Sequence, residues 1–339
     1  MIFQNKRIAV VILNFNGRYF LEKFLPTVLK YSSGAQIYVA DNASTDDSIN
    51  YVKSSFPDVA IIKNDSNYGF AGGYNKALKQ IQADYFVLLN SDVEVTENWI
   101  NPVVEFMETN ENVSACQPKI LDFYKRNFFE YAGASGGFID KYGYPFCRGR
   151  IFQELEKDEG QYNNPVSIFW ASGACLFIKS NIYRQLGGFD EDLFAHMEEI
   201  DLCWRIRNSG RNVYVIPSSV VYHVGGGTLN KSNPRKTFLN FRNSLIVLTK
   251  NLSGRLILIK ILIRLILDGV AGIKFLLQFQ PGNFLAIIKA HWGYFFRLPV
   301  TLRKRRAIYR KMDGNDGLML NRSIVMLHFV KGLKKYSEI

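Results

Sequence analysis

Between residues 8 and 90 short apolar runs alternate with longer amphipathic stretches, and each apolar run ends on a polar residue. The runs at 8–13, 36–40, 59–63 and 85–89 are too short for buried helices and rich in β-branched and aromatic residues, so they read as strands. The stretches between them carry helical periodicity as far as Tyr31, over 48–55, and up to Gln82. A β-α-β-α-β-α-β succession implies a parallel sheet with helices on both faces. Right-handed crossovers then place every strand's carboxyl end on one edge. Asn14, Asp41, Asn64 and Asn90 each follow a strand, so they line one crevice, where open sheets of this kind take ligands.

With 339 residues, 47% of them hydrophobic, the chain can bury a large core, and global disorder is excluded. Cys116, Cys147, Cys175 and Cys203 are scattered and form no C-x-x-C pair, which argues against structural zinc and thioredoxin-like chemistry and suits a reducing compartment. The N-terminus reads as a first strand rather than a signal peptide. From about Cys116 to Val166 the pattern loosens into aromatic, Gly-rich stretches that suggest hairpins or a mobile loop. Strand, loop and strand follow over 167–177, then helices at 181–186 and 197–208. Two further strands, 213–216 and 220–223, are separated by Pro217.

Charge is divided unevenly. The net charge is +12, yet from Phe241 onward there are 18 Lys+Arg against 4 Asp+Glu, and the chain before that point is slightly acidic. Such asymmetry suggests nucleic acid or an anionic membrane surface. Residues 255–277 are mostly apolar, with Lys260, Arg264 and Asp268 spaced by four on one helical face. Three charges at its centre argue against a membrane span, and a narrow polar face beside a wide apolar one fits a helix lying in the membrane interface. Trp292 and Tyr294 stand near a basic cluster of Arg297, Arg303, Lys304, Arg305, Arg306, Arg310 and Lys311, as at a headgroup boundary. The alternative is a helical hairpin packed on the rest of the chain with a solvated basic face. No aromatic-basic reading motif for nucleic acid is present.

Several residues at the expected crevice carry chemistry. Asp41, at a strand tip, can accept hydrogen bonds from a base or ribose. In NYGFAGGYN a Gly-rich entry to a helix offers amides to phosphates, although it lacks both the G-x-G-x-x-G and Walker A spacings, and Gly72 and Gly73 also suit close packing. Asp92 is a natural ligand for a hard divalent ion. His223 ends a strand just before Gly225, Gly226 and Gly227, a position that suits a ligand as well as a structural role. Glu198, Glu199 and Asp201 crowd a helix start; the helix dipole favours acids there, and partial burial raises a carboxyl towards a working base. Arg205 is placed to pair with Asp201.

The order VVILNFNG, VADNASTDDS, NYGFAGGYN, LLNSDVEV, ASGACLFIKS, GGFDEDLFAHMEEIDLCWRIRNSG, VVYHVGGGT resembles the family-2 glycosyltransferases, in particular their bacterial rhamnosyltransferase-like branch, over roughly residues 6–250. The resemblance implies an α/β GT-A (Rossmann-like) fold, a mostly parallel mixed sheet flanked by helices. To this the chain adds a C-terminal helical membrane-associating region, dividing it into residues 1–250 and 251–339. It implies a metal-dependent enzyme that transfers a sugar, with inversion, from a nucleoside diphosphate sugar (dTDP- or UDP-sugar) to an acceptor hydroxyl. The nucleotide-binding positions are then Asn14, Asp41, Asn67, Gly69, Asn75, Asn90 and Ser91. Asp92 and His223 would hold Mg²⁺ or Mn²⁺ with the diphosphate. Asn90 stands where the family's D-x-D motif has its first acid, which removes one negative charge from the metal site. The base position falls on Glu199, with Glu198 and Asp201 close enough to compete for the role. Trp170, Ser172 and Gly173 match the segment flooring the acceptor pocket; Trp170 suits either stacking on a sugar or a buried structural role. The basic tail points to a saccharide acceptor carried on lipid, at the inner face of the cell membrane, in envelope polysaccharide synthesis. A sugar-phosphate nucleotidyltransferase and a non-catalytic nucleotide-sugar binding protein are the rival readings.

Overall fold

The computed structural model describes residues 6–225, 233–254, 256–309 and 317–339; Gly226, Gly227, Arg255, Arg310 and Lys311, named above, lie outside them. Strands β1 (Ile8–Asn14), β2 (Ala35–Asp41), β3 (Ala60–Lys63) and β4 (Tyr85–Asn90) are parallel, in spatial order β4-β1-β2-β3. Helices α1 (Arg18–Tyr31), α2 (Ser48–Ser55) and α3 (Gly69–Leu78) cross between them. Ile8, Val10 and Ile12 pack with Leu21, Leu25 and Val28 of α1 and with Ile49 and Val52 of α2. Ala9 and Val11 point the other way, into a core containing Ala71, Tyr74 and Leu78 of α3. A strand buried on both faces has no use for alternation, which is why these runs are continuously apolar. Asn14 pairs in register with Asp41, and Leu13 with Asn90, so the polar strand ends do meet on one edge.

The other half of the sheet is mixed. After β5 (Val93–Val95) and α4 (Asn101–Thr109), β6 (Val113–Asp122) runs into a separate four-stranded sheet: β7 (Gly137–Ile139), β8 (Pro145–Cys147), β9 (Arg150–Ile151) and β10 (Glu154–Leu155). The chain returns through β11 (Val166–Ile168), β12 (Cys175–Lys179), α5 (Ser180–Gln185), α6 (Glu198–Asn208) and β13 (Asn212–His223). Strand β12 lies antiparallel between β4 and β6, and β13 pairs with β6 in parallel and with β5 and β11 antiparallel. Residues 116–122, expected to be loose, belong to β6. Their polar side chains are buried with partners: Lys119 pairs with Asp158 at 2.7 Å, and the Gln117 side chain accepts from the Ser172 amide at 2.9 Å. The two strands expected around Pro217 are one strand whose register shifts between Ile216 and Val220, since proline cannot donate to the ladder.

Four helices complete the chain: α7 (Pro234–Asn251), α8 (Ile257–Leu277), α9 (Pro281–Tyr309) and α10 (Ile324–Phe329). The charged face of α8 points inward. Arg264 donates to Asp268 (2.8 Å), to Ser244 of α7 (2.8 Å) and to the Tyr142 carbonyl (3.1 Å), and Tyr144 donates to Asp268 (2.9 Å). The helix is thus amphipathic in the reverse sense of an ordinary surface helix. Leu262, Ile266, Val270, Ile273 and Leu277 face out, and α9 adds Leu285, Ile288, Trp292, Phe295 and Phe296. All but three of the large apolar side chains exposed among the described residues (Phe15, Tyr19 and Tyr124 are the exceptions) come after position 255. The segment beyond α9 returns to the small sheet, where Leu320 exchanges backbone bonds with Ile139 and Lys141, and the Tyr336 ring packs on Phe138 and Phe146. Among the described residues no helix is long and apolar enough to cross a membrane.

Candidate active site

At the tips of β1 and β2 the polar residues hold one another. Asn14, fully buried, donates to the hydroxyls of Ser44 (3.0 Å) and Ser48 (2.9 Å), and Asp41 accepts from the Ser44 amide (3.2 Å). Asn42, not singled out from sequence, donates to Asn67 and to the Gly69 carbonyl, both at 3.0 Å. Asn67 in turn accepts from the Gly69 amide at 2.9 Å. These bonds shape the rim on which Asn14, Asp41, Asn67, Gly69, Asn90 and Ser91 sit.

Two of the expected nucleotide contacts have other work. The amides of Phe70 and Ala71, at the N-terminus of α3, both donate to the Phe194 carbonyl (2.8 and 3.2 Å), so they do not face a phosphate. Gly69 has φ +69°, and a side chain there would meet Phe194 at 2.5 Å. Asn75 donates to the Phe189 carbonyl (3.0 Å) and Glu191 (2.9 Å) and accepts from Tyr183 and the Phe189 amide. It ties α3 to the loop ahead of α6 rather than projecting into the crevice.

Asp92 follows β4, and pairing of β5 with β13 brings His223 beside it: the Val224 amide donates to the Asp92 carbonyl (3.1 Å), and the His223 Nε2 lies 3.2 Å from the Asp92 carboxylate. On the other side of the ring, Nδ1 lies 3.2 Å from Glu130, a buried carboxylate from the segment before the small sheet. Burial would lower the His223 pKa, but Glu130 and Asp92 outweigh it and raise it well above the usual imidazole value. Burial likewise opposes ionisation of Asp92, and His223 overcomes it, holding the carboxyl below its usual value. A carboxylate behind a histidine that faces a second carboxylate is the arrangement in which an outer partner fixes a ligand's ring orientation. With the proton displaced from its ring, His223 would offer a nitrogen and Asp92 an oxygen to a divalent ion. Among the described residues no third Cys, His, Asp or Glu joins them as a preformed cage, so further ligands would come from the donor's phosphates or water.

The loop leading to α6 is strained and pinned. Phe194, His196 and Met197 all have positive φ (64°, 68° and 75°), costly for residues with side chains. Asn243 of α7 holds them: its side-chain nitrogen lies 2.8–2.9 Å from the carbonyls of Leu193, Ala195 and His196. The loop delivers two carboxyls whose environments differ. Burial and the neighbouring Glu199 charge push Glu198 well above the usual carboxylate range. Burial raises Glu199 to about 7, the value at which a carboxyl works as a base under physiological conditions. Asp201 is different. Burial opposes its charge, but Lys250 (2.7 Å) and Arg205 (2.9 Å) hold its pKa low, and Asn251 donates to it as well (2.7 Å). It anchors α6 to α7, and its oxygens are committed.

The expected acceptor segment divides similarly. Trp170 is 3% exposed and donates to the Phe138 carbonyl at 2.9 Å, with Gly137 against its indole; it is a packing residue beneath the small sheet. Ser172 is buried and accepts from the Ala174 amide at 3.2 Å. Gly173 borders the site itself: a β-carbon there would stand 3.8 Å from that of Glu199 and 3.1 Å from the Phe70 ring.

A strand-tip acid paired with a histidine, and a carboxyl near neutrality just after a strained loop, sit on a sheet of parallel and antiparallel strands. The family model described as glycosyl transferase family 2 matches residues 9–186. The chain belongs to glycosyl transferase family 2. Within that family it is 25% identical over 238 residues, covering 65% of this chain and 77% of the relative, to an N-acetylglucosaminyl-diphospho-decaprenol L-rhamnosyltransferase of Mycobacterium tuberculosis. It is 22% identical to the low-salt glycan biosynthesis hexosyltransferase Agl10 of Haloferax volcanii, over 61% of this chain and 63% of that one. Among solved structures, GalNAc-T7 with UDP, GalNAc and Mn²⁺ matches with a TM-score of 0.57 at 17% identity, covering 73% of this chain but only 48% of that one. The mannosyltransferase of Pyrobaculum calidifontis with GDP-Man and Mn²⁺ matches with a TM-score of 0.53 at 16% identity, covering 91% and 75%. These structural likenesses establish a glycosyltransferase GT-A fold, mixed α/β with flanking helices.

Proposed function

We propose that this family-2 enzyme transfers a sugar, with inversion, from a nucleoside diphosphate sugar (dTDP- or UDP-linked) to a hydroxyl of a lipid-linked saccharide at the inner face of the cell membrane. The observation that carries the reading is Glu199: a carboxyl raised to about 7, beside Gly173, in the first turn of α6 just after a loop whose strain is held by a neighbouring helix. Glu199 removes the acceptor proton as the hydroxyl attacks the sugar carbon from the face opposite the diphosphate. Glu198, whose pKa is raised well above the usual range, resists placing a second charge beside Glu199. Asp201 positions the helix through Lys250 and Asn251. Asp92 and His223 hold the donor end of the crevice, with Glu130 fixing the His223 ring. A divalent ion bound there would neutralise charge on the departing diphosphate.

The membrane part of the proposal is supported by the reversed amphipathicity of α8. Its Arg264 and Asp268 are spent inside the protein while Leu262, Ile266, Val270 and Ile273 face out beside Trp292 and Phe296 of α9. Basic residues such as Lys289, Arg303 and Arg306 flank this surface, which suits an anionic lipid headgroup layer better than a second copy of an equally basic face. The resemblance to a rhamnosyltransferase whose name specifies a diphospho-decaprenol acceptor favours the same class of substrate.

A donor screen tests the reading: melting temperature with UDP, dTDP and GDP and their sugar conjugates, with and without Mn²⁺. Binding raises the melting temperature, more for a tighter ligand, with the stabilisation growing as the logarithm of ligand concentration over Kd. A metal-dependent shift confined to one nucleotide, lost in Asp92→Ala, is expected. Release of pyrophosphate from a nucleoside triphosphate would instead support the nucleotidyltransferase rival. Unchanged sugar transfer or hydrolysis after replacing both Asp92 and Glu199 would remove these residues from the chemistry.

A further inference from the structure

Beside the strained loop, α7 and α9 border an open cavity of about 430 Å³, lined by Phe194, Arg235, Phe238, Leu239, Arg242 and Arg297. Two carboxylates also reach it, and both are engaged. Asp192 is shared between Arg297 and Lys304, each at 2.7 Å, and Glu191 accepts from Asn75 at 2.9 Å. Three guanidinium groups thus face the space against two carboxylates, one of which, Asp192, is already paired with Arg297 and Lys304. Arg235 lies 5.4 Å from the centre of the Phe194 ring and has no carboxylate partner among the described residues. Arg242 is nine-tenths buried and braces the loop by donating to the carbonyls of Asp192 and Leu193. Burial, and after it the charge of Arg297, lower its pKa to about 10, against the opposing pull of Asp192.

The cavity also has a place in the molecule. Its wall Phe194 opens the loop that ends in Glu198 and Glu199. On its other side, Arg297 follows Phe296, which is 88% exposed on the apolar surface of α9. A ligand with an apolar tail on α9 and an anionic group in this cavity would carry its next unit towards Glu199. Planar guanidinium groups match phosphate oxygens in pairs, and the volume is that of an ordinary small-molecule site.

We infer that the Arg235–Arg242–Arg297 cavity binds the phosphate or diphosphate that joins the acceptor saccharide to its lipid. This rests on the glycosyltransferase reading above and adds the subsite by which the acceptor is recognised. It also separates two roles of the basic tail: outward charges meet the lipid surface, and these three meet one covalently tailed anion.

The experiment uses the full chain and phosphatidylcholine vesicles doped with farnesyl diphosphate, compared with vesicles brought to the same surface charge by phosphatidylglycerol. Binding is read by flotation, with inorganic pyrophosphate as competitor. Expected is tighter binding to the farnesyl diphosphate vesicles, relieved by pyrophosphate. The Arg235→Gln/Arg297→Gln protein should lose that excess by about tenfold while binding the phosphatidylglycerol vesicles as before. Arg235→Gln alone, which breaks no ion pair among the described residues, should lose part of it and still melt as the parent does. Equal binding to both vesicle types, or an excess that survives the double substitution, overturns the assignment. Binding of free pyrophosphate with no preference for the farnesyl diphosphate vesicles overturns the lipid-linked source. The Mn²⁺-dependent nucleotide shift is measured on the same proteins. If it is absent from the parent, the glycosyltransferase reading fails; if it is present while the vesicle excess is missing, only this subsite fails.

Discussion

Glu198 and Glu199 are adjacent and chemically identical, the first buried and the second half-buried, and they should behave differently when each is changed to its neutral isostere. Glu199→Gln should lower transfer by about 10²–10⁴-fold, the range for removing a general base, while the nucleotide-induced melting shift remains. Glu198→Gln replaces a carboxyl whose ionisation is already disfavoured by burial and should retain most activity. Rate against pH should rise through about 7 as Glu199 ionises. Stability has the opposite sign. Between the ordinary value of 4.5 and about 7 the folded state keeps a proton that the unfolded chain has released, so stability falls as pH rises across that window. Glu199→Gln should therefore melt higher than the parent above pH 7, and melting curves at acid and alkaline pH check it. Glu130 makes a second test at this scale. Glu130→Gln should weaken Mn²⁺ binding in the presence of nucleoside diphosphate by about 10–100-fold, measured by calorimetry or by the Mn²⁺ paramagnetic resonance signal. Asp92, His223 and Glu199 were visible in sequence because each sits at the end of a patterned element. Glu130 was not. It lies in the aromatic, Gly-rich stretch with no periodicity, and its partner His223 is far along the chain.

Among the elements, α8 carries the clearest energetic consequence. Arg264 and Asp268 are buried together, and removing one partner leaves an uncompensated charge in a dry site. Arg264→Leu should cost about 3–5 kcal/mol, read by denaturant unfolding, and Arg264→Leu/Asp268→Leu should recover much of the loss. The spacing of these charges showed from sequence that they share a face, but not which way the face points. That depends on Ser244, Tyr142 and Tyr144 waiting on the other side with matching hydrogen bonds. The four parallel strands were legible for the opposite reason: burial on both faces leaves an unmistakable apolar run. Strand β6 was half lost because its interior polar residues, Gln117 and Lys119, are satisfied by distant partners. Asn243 had no local signal either, since a polar residue in a basic helix reads as solvated until the carbonyls it holds are seen.

For the whole molecule, the apolar surface of α8 and α9 predicts binding to anionic vesicles that weakens when Trp292→Glu/Phe296→Glu is introduced, with catalysis of any water-soluble acceptor unaffected; co-sedimentation measures the first and a transfer assay the second. Cutting the chain near Asn251 is a poorer test of the same idea. Ala286, Ile287 and Tyr294 are buried, Ile324 and Leu327 belong to the main core, and Leu320 pairs with the small sheet, so the cut exposes far more than a docking face. Under the proposed membrane docking, the outward-facing helices also change what concentration means for this enzyme. A protein confined to a leaflet meets a leaflet-bound acceptor by diffusion in two dimensions. Its turnover should follow the acceptor's mole fraction in the lipid, not its amount per litre. Adding empty vesicles to a working assay, with every solute held constant, should slow the reaction by surface dilution alone.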